Sequence, residues 1–460
     1  MGWKKKVLCI IFLSSYFLVD YIYNASNIFS SKENTKIEDS SSANEILKLP
    51  LNEKFIEWFV GLCEAESNFL IRKRKNQDEV IGFEFVFRIV LHIDDTKVLE
   101  FIKNTLNCGR LSIDRDTCVF TISKISDIET ILLPIFETFS LNSVKYLDYL
   151  DFKNAFLMYT NRIKIGAGAK NLKLINNILN IIENMNSKRK NYDLSKDHVI
   201  KITANYLIGY LEGDGTFYLN KSDMTVHIGL VSITANRLVL EKIREFLLNL
   251  LDEHSYILGS STKLINIVDK EVKGNNKAVS ILDITQIDFI CNILIPYFDN
   301  IEFRTKKYLD YLDLKTIAHL LLDGKHLTEN GKNLIIKLGD TMNNSRLSTN
   351  PSSIILDEQT KLELEKLINS EALIHIDEEG RVKIIAEKKY IRSTYIIKTE
   401  YLNGTITYFT NGVSCAKSLH ISNNTVTARL NDGKPVKNKD GVIVALFLKR
   451  LRAYSPKSIT

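Results

Sequence analysis

Residues 58–69, WFVGLCEAESNF, and residues 206–217, YLIGYLEGDGTF, are two copies of one pattern. Aligned on Gly61 and Gly209, each reads apolar, apolar, glycine, apolar, apolar, glutamate, small, acid, small, so the repeat keeps its charged positions as well as its hydrophobic ones. Gly61 and Ala65 in the first copy, and Gly209 and Gly213 in the second, lie four residues apart and share one helix face. Without bulk on that face, two helices approach more closely than the usual ~8–10 Å. Packing the two stripes together brings the last acids, Glu66 and Asp214, to one end of the helix pair, where two carboxylates make a site for divalent metal. Glu64 and Glu212, about 200° round the helix from those acids, are expected to point away from the partner helix. One copy alone reads equally well as a buried amphipathic helix ending at a small residue; two copies in the same acid register do not.

At these residues the chain resembles the LAGLIDADG homing endonucleases, in the form that carries two motifs on one chain. The resemblance implies an α+β fold of two αββαββα repeats forming a pseudo-dimer within a monomer. It also implies Mg²⁺ or Mn²⁺ held by Glu66 and Asp214, and double-stranded DNA cut across the minor groove to leave 3′ overhangs. The first copy departs from the pattern at Ser67, where glycine is usual, and at Glu66, where aspartate is common; both changes roughly keep size and charge.

A chain of 460 residues is too long for one core and predicts two or three domains. Its 45% apolar and 25% charged residues are those of a globular protein. The net charge of +6 is compatible with nucleic acid without pointing to it. Cys9, Cys63, Cys108, Cys118, Cys291 and Cys415 form no C-x-x-C pair, which argues against a zinc site and a disulfide framework and for a reducing compartment. Gly166–Lys170, GAGAK, lacks the spacing of a phosphate-binding loop and reads as a flexible connector.

Residues 1–23 place Lys4, Lys5 and Lys6 before an apolar run, the pattern of a signal peptide or a short membrane segment, and a serine-rich linker follows. In this family such a leader is also what an upstream exon leaves behind. We divide the chain into a leader and linker (1–48), a first unit with its connector (49–190), a second unit (191–347), a linker region (348–395) and a C-terminal module (396–460).

In the first unit, Phe83, Phe85, Phe87, Ile89 and Leu91 alternate with residues of the other face, the period of a half-buried strand. Asn68, Arg72 and Arg74 on the preceding strand, with Arg88, form a face suited to phosphates or to base edges in the major groove. A helix is predicted from Asp95 to Leu106, started by the aspartate. In the second unit residues 226–234 are apolar on both parities, and only Tyr218 and Asn220 stand out as contact candidates.

A second repeat closes each unit: residues 132–153 match 294–315 and share YLDYLD, whose apolar positions suit helix packing. Lys145 and Lys307 stand just ahead of it, and the resemblance puts them at the cleavage site, to order solvent or stabilise transition-state charge. The motif glycines are 148 residues apart and these lysines 162, so the second unit carries 14 extra residues, which we place in 263–279. Residues 181–190 resemble 338–347, extending the duplication over about 51–347.

Residues 357–369 read as a helix and residues about 378–380 as a hairpin turn. Residues 410–436 read as helix, turn and second helix with Ser422 as N-cap, and resemble the modular DNA-binding domains attached to homing endonucleases. Asn423, Asn424, Thr427 and Arg429 then fall on the recognition helix, with Lys434 and Lys437 near phosphates. The sequence therefore reads as a site-specific DNA endonuclease supporting intron mobility. An intron maturase binding intron RNA is the rival reading, and a DNA-binding regulator without cleavage a third; intact acids in both motifs favour the nuclease. Abundant Lys, Asn and Ile suit an A+T-rich organelle genome, mitochondrial or alternatively plastid.

Overall fold

The computed structural model describes residues 51–77, 79–164, 172–271, 277–393 and 395–454; the leader (1–48) and the Gly166–Lys170 connector lie outside them. Among the described residues no helix is long and apolar enough to cross a membrane.

The first unit runs α1 (Glu53–Glu66), β1 (Ser67–Asn76), β2 (Glu79–His92), α2 (Thr96–Leu106), β3 (Arg110–Asp114), β4 (Thr117–Ile122) and α3 (125–138), followed by α4 (Lys145–Lys164) and the connector helix α5 (Leu172–Asn184). The second repeats it as α6 (Ala204–Asp214), β5 (Gly215–Asn220), β6 (Thr225–Ile233), α7 (Arg237–Leu248), an additional α8 (Glu253–Thr262), β7 (Ile265–Lys270), β8 (Val279–Ile284), α9 (287–298), α10 (Lys307–Leu322) and α11 (Glu329–Asp340). Each unit builds one antiparallel sheet, ordered β1-β2-β4-β3 and β5-β6-β8-β7. This is the expected α+β pair of αββαββα repeats.

One face of each sheet is core. Phe69, Phe85 and Phe87 meet Phe136 of α3 and Tyr149, Phe152 and Phe156 of α4, all buried, with Phe69 about equally close to Phe87 (5.3 Å), Phe136 (5.5 Å) and Phe152 (5.5 Å) between ring centroids. Fully burying each ring contributes about 1.5–3 kcal/mol. In the second unit Phe217 packs on Tyr311, which stacks on Phe303 at 4.9 Å. Both YLDYLD tyrosines that face inward, Tyr149 and Tyr311, are 1% exposed, as a packing role requires.

The motif helices α1 and α6 meet backbone to backbone at Gly61 and Gly209. A Cβ on Gly61 would run into the carbonyl of Tyr206, and one on Gly209 into the carbonyl of Trp58; one on Gly213 would strike Ala65. The units are also tied by matched turns. Asp95 Oδ1 accepts from the Lys306 amide at 2.6 Å, and Asn236 Oδ1, at the equivalent turn, accepts from the Val144 amide at 2.9 Å. Lys306 Nζ adds an ion pair to Asp94 at 2.5 Å.

Four expectations change. Asp95 stands at the start of α2 but its side chain makes no cap there, because the carboxylate serves the other unit. The extra residues of the second unit sit mainly ahead of 263–279: the short link 107–109 of the first unit becomes 249–264 and contains α8, while 265–270, expected as loop, is strand β7. Residues 226–234 do have a face, since Val226, Ile228 and Leu230 are buried and Val231 is 40% exposed. Residues 348–395, set apart as a linker region, hold the expected helix, α12 (Glu358–Asn369), and the expected hairpin turn, between β9 (Ile374–Ile376) and β10 (Arg381–Ile384); the unexpected part is that β11 (Lys389–Ser393) completes a three-stranded sheet.

The last segment folds round its own small core. Strands β12 (Tyr395–Glu400) and β13 (Ile406–Phe409) precede α13 (Gly412–Leu419) and α14 (Asn423–Asp432); β14 (Val436–Lys437), β15 (Ile443–Ala445) and β16 (Phe447–Arg452) follow. Ile397, Cys415, Leu419, Val426, Val436 and Leu448 are buried together.

Because the clash at Gly61 and Gly209 is with backbone, no rotamer change relieves it. Either residue changed to alanine is expected to destabilise the chain by about 3 kcal/mol or more, the upper range of overpacking penalties. Denaturant-unfolding midpoints measure this, and a loss below about 1 kcal/mol would contradict the helix contact.

Candidate metal and nucleic-acid site

The two acids of each motif are treated differently by the fold. Glu64 is buried and accepts from the Asn142 and Ser143 amides, from Ser143 Oγ and from Tyr206 Oη (3.2 Å). Glu212 is its counterpart, accepting from the Arg304 and Thr305 amides at 2.6 and 2.5 Å, from Thr305 Oγ1 at 2.9 Å and from Trp58 Nε1 at 2.6 Å. The expectation that these glutamates point away from the partner helix fails at Tyr206 and Trp58, which reach across from it. Their backbone donors precede α4 and α10 by two and three residues, so each buried carboxylate lies just ahead of a helix N-terminus, where negative charge is favoured.

Glu66 and Asp214 are the last residues of α1 and α6. Both are half-buried, and among the described residues neither carboxylate accepts a hydrogen bond. Burial raises the Glu66 pKa and the neighbouring Asp214 raises it further. Burial likewise pushes Asp214 up to about 6, with Lys145 and Lys307 opposing and Glu64 reinforcing.

Lys145 and Lys307 open α4 and α10 beside these acids. Lys145 Nζ donates to the carbonyls of Cys63 (2.9 Å), Ala65 (3.3 Å) and Ser67 (2.8 Å), and Lys307 Nζ to that of Gly215 (2.9 Å). They therefore lie at the C-terminal ends of the motif helices, whose free carbonyls and dipole attract a cation. Burial lowers the Lys145 pKa, against the nearby Glu64 and Asp214 carboxylates. A lysine held this way supplies fixed positive charge more readily than it orders solvent.

A cleft of about 490 Å³ opens here, its walls including Ala65, Asn68, Lys145 and Asp214. On the first sheet's open face Asn68 pairs with Arg88 across the strands, Arg72 with Glu84 and Arg74 with Gly82. Among the described residues Asn68 Oδ1 and Arg88 Nε are buried atoms without a hydrogen-bond partner, and Arg72 makes a loose ion pair with Glu84 at 3.8 Å. In the second sheet Tyr218 stacks on His227 at 4.4 Å between ring centroids. Asn220 is engaged by the hairpin turn, accepting from the Ser222 amide and hydroxyl.

In the C-terminal segment Ser422 Oγ accepts from the Thr425 amide at the start of α14. Asn423, Asn424 and Thr427 are exposed; Arg429 is half-buried and paired with Asp432 at 2.8 Å.

The sequence reading missed two clamps. Asp148 and Asp151 both bind Arg189, and Asp310 and Asp313 both bind Arg346. The signal was present: YLDYLD and the 181–190/338–347 resemblance each repeat, so their acids and arginines repeat as partners. The Asp94–Lys306 pair breaks the symmetry and left no such trace.

Known proteins share this arrangement. The LAGLIDADG endonuclease family pattern matches residues 59–156 and 207–318. The two repeats belong to the LAGLIDADG endonuclease family, with both motifs on one chain. An uncharacterised mitochondrial protein, RF1, of Saccharomyces cerevisiae is 24% identical over 305 residues, covering 65% of this chain and 61% of that protein. A probable intron-encoded endonuclease 2 of Neurospora crassa is 28% identical over 314 residues, covering 64% and 65%. The chain thus spans less than two thirds of the length of these relatives. The crystal structure of the LAGLIDADG homing endonuclease I-GzeII in complex with its DNA target superposes with a TM-score of 0.50 at 23% identity, covering 64% of this chain and 99% of that one. The crystal structure of the I-LtrWI LAGLIDADG homing endonuclease bound to target DNA gives a TM-score of 0.51 at 23% identity, covering 64% and 98%. These structures share the two-repeat fold.

The raised Asp214 pKa has a stability consequence. The folded chain holds this proton more tightly than the unfolded one, so stability falls as pH rises from about 4 through about 6. In chelator, Asp214→Asn is expected to unfold at higher temperature than the wild type at pH 7.5, by up to about 3 kcal/mol for roughly two pKa units. The gain should close as pH is lowered toward 4; a pH-independent difference would refute it.

Proposed function

We propose that this chain is a site-specific, metal-dependent DNA endonuclease that supports the mobility of its intron. The single observation behind this reading is the division between the acids: Glu64 and Glu212 are surrounded by donors, whereas Glu66, beside the Asp214 carboxylate, and Asp214 itself accept no hydrogen bond among the described residues. A carboxylate pair raised in this way fits a hard divalent cation, Mg²⁺ or Mn²⁺. Such ions are commonly held by one or two carboxylates and completed by substrate phosphates and water. A cation bound there supplies Lewis-acid stabilisation to the attacking and leaving oxygens of an in-line displacement.

The chain's own residues divide the remaining work. Glu66 and Asp214 hold the ions, and Lys145 and Lys307 add fixed positive charge beside the scissile phosphates. Asn68, Arg72, Arg74 and Arg88 of the first sheet, and Tyr218 of the second, contact the duplex; Asn220 serves there through its turn. The C-terminal segment acts as a helix-turn-helix module, with Asn423, Asn424 and Thr427 on the exposed face of α14 and Lys434 and Lys437 beside phosphates. One chain with two repeats acts as a pseudo-dimer on a long asymmetric site. The named relatives are intron-encoded or mitochondrial, which supports a mitochondrial setting. Intron RNA remains the rival partner, disfavoured because RNA binding gives no use to a bare carboxylate pair.

Randomised duplexes incubated with the purified chain and Mg²⁺ test this reading. The wild type is expected to recover one long cut site. Glu66→Ala and Asp214→Ala should bind that site with little change while losing at least about 10³-fold in cutting of one strand, within the rate contribution of preorganised charge, and chelation should abolish cutting altogether. Complete double-strand cleavage by either variant would refute the assignment of the acids. Tight binding to structured intron RNA without any cutting would replace it with the maturase reading.

A further inference from the structure

Equivalent rows of the two sheets carry different chemistry. In the first unit, the row two residues beyond the motif acid runs Asn68–Arg88–Thr121–Arg110 across four strands. Its counterpart in the second unit runs Thr216–Gly229–Asp283–Asn266. Both rows begin at the same distance in sequence from Glu66 or Asp214, so they address equivalent positions either side of the site. The first row has two arginines; the second has none and has a carboxylate instead.

Asp283 is held in place from one side. His227 Nδ1 lies 3.0 and 3.1 Å from its two oxygens, His227 Nε2 lies 3.2 Å from Thr225 Oγ1, and the imidazole is stacked on Tyr218 at 12°. Among the described residues no lysine or arginine pairs with it, and its side chain remains 29% exposed. Gly229, at the place of Arg88, puts no side chain beside it; an added Cβ would rest in ordinary contact with the carbonyls of Leu282 at 3.8 Å and Thr216 at 3.9 Å.

We propose that Asp283, positioned by His227, is a specificity-determining residue that accepts a hydrogen bond from a cytosine N4 amino group in the half-site under the second unit. The inference rests on the endonuclease reading and deepens it. A carboxylate on a DNA-facing sheet repels phosphate unless a neighbouring cation neutralises it, as Arg72 does for Glu84 in the first sheet; Asp283 has no such lysine or arginine among the described residues, and a base amino group is the donor that suits it. In the major groove those donors are the amino groups of cytosine and adenine. Adenine sets its N7 acceptor beside that amino group, opposed to the second carboxylate oxygen, whereas cytosine has no acceptor there. At the mirrored position of the other half-site, the Arg88–Arg110 row selects guanine O6 and N7. The two halves of the target are therefore chemically inequivalent at this row, and Asp283 orients the chain on the duplex.

The test is selection of cut sites from randomised duplexes by the full chain with Mg²⁺, for the wild type, Asp283→Asn and His227→Phe. The wild type is expected to require cytosine at one position of the second half. Asp283→Asn should move that preference toward adenine, which asparagine binds bidentately, by about tenfold or more. His227→Phe keeps a ring on Tyr218 but frees the carboxylate, and should weaken the same preference without moving it. Unchanged preferences in the first half serve as the control for folding, and if Asp283→Asn does not fold, His227→Phe carries the test. A wild-type site without a cytosine requirement in that half, or variants whose second-half preferences match the wild type, would overturn the role of Asp283 while leaving the endonuclease standing. A wild type that selects no duplex would overturn both.

Discussion

Two helix backbones in contact at Gly61 and Gly209 set the terms for everything else in this chain. Because neither position tolerates a Cβ, α1 and α6 lie side by side along their small-residue faces and end together. Their last residues, Glu66 and Asp214, are therefore neighbours whether or not that suits their charge, and each motif delivers its following strand to the edge of its own sheet. The aromatic clusters behind those sheets then hold the pair in place, since tilting either helix would open a gap against rings that are fully buried.

Charge is distributed accordingly. A buried carboxylate is tolerable when donors surround it and costly when they do not. The first acid of each motif meets that condition by collecting the amides ahead of α4 or α10, which also seats Lys145 and Lys307 at the ends of the motif helices. The second acid of each motif does not. The cost of holding Glu66 and Asp214 close is thus placed at the ends of the motif helices, where the proposed cation would relieve it.

The duplication is strict where geometry is shared and loose where it is not. Asp95 and Asn236 perform the same cross-unit contact with different chemistry, and the aspartate–arginine clamps recur at Arg189 and Arg346. Away from these ties the units diverge. The second carries α8, and its sheet presents Gly229 and Asp283 where the first presents Arg88 and Thr121. Surfaces that touch no other part of the chain are free to differ, and two units that differ there suit a target without symmetry.

The sequence by itself determined the repeat, the close helix pair, the identity of Glu66 and Asp214 as the odd acids, and the buried face of β2. These features are local: small residues at a spacing of four and apolar residues at a spacing of two report which face is covered, whatever covers it. The two-repeat architecture followed, because two matched helices need each other. What covers each group was decided only by tertiary structure. Glu64 and Glu212 are anchors because loops 78–79 and 92–93 residues further along bring amides to them, and Asp95 leaves its own helix for an amide in the other unit. In residues 348–395 the helix and the hairpin turn are legible as local pattern, whereas the sheet exists only once β9, β10 and β11 pair. His227 and Asp283 are 56 residues apart and belong to no repeated motif; only the register of β5, β6 and β8 makes them partners.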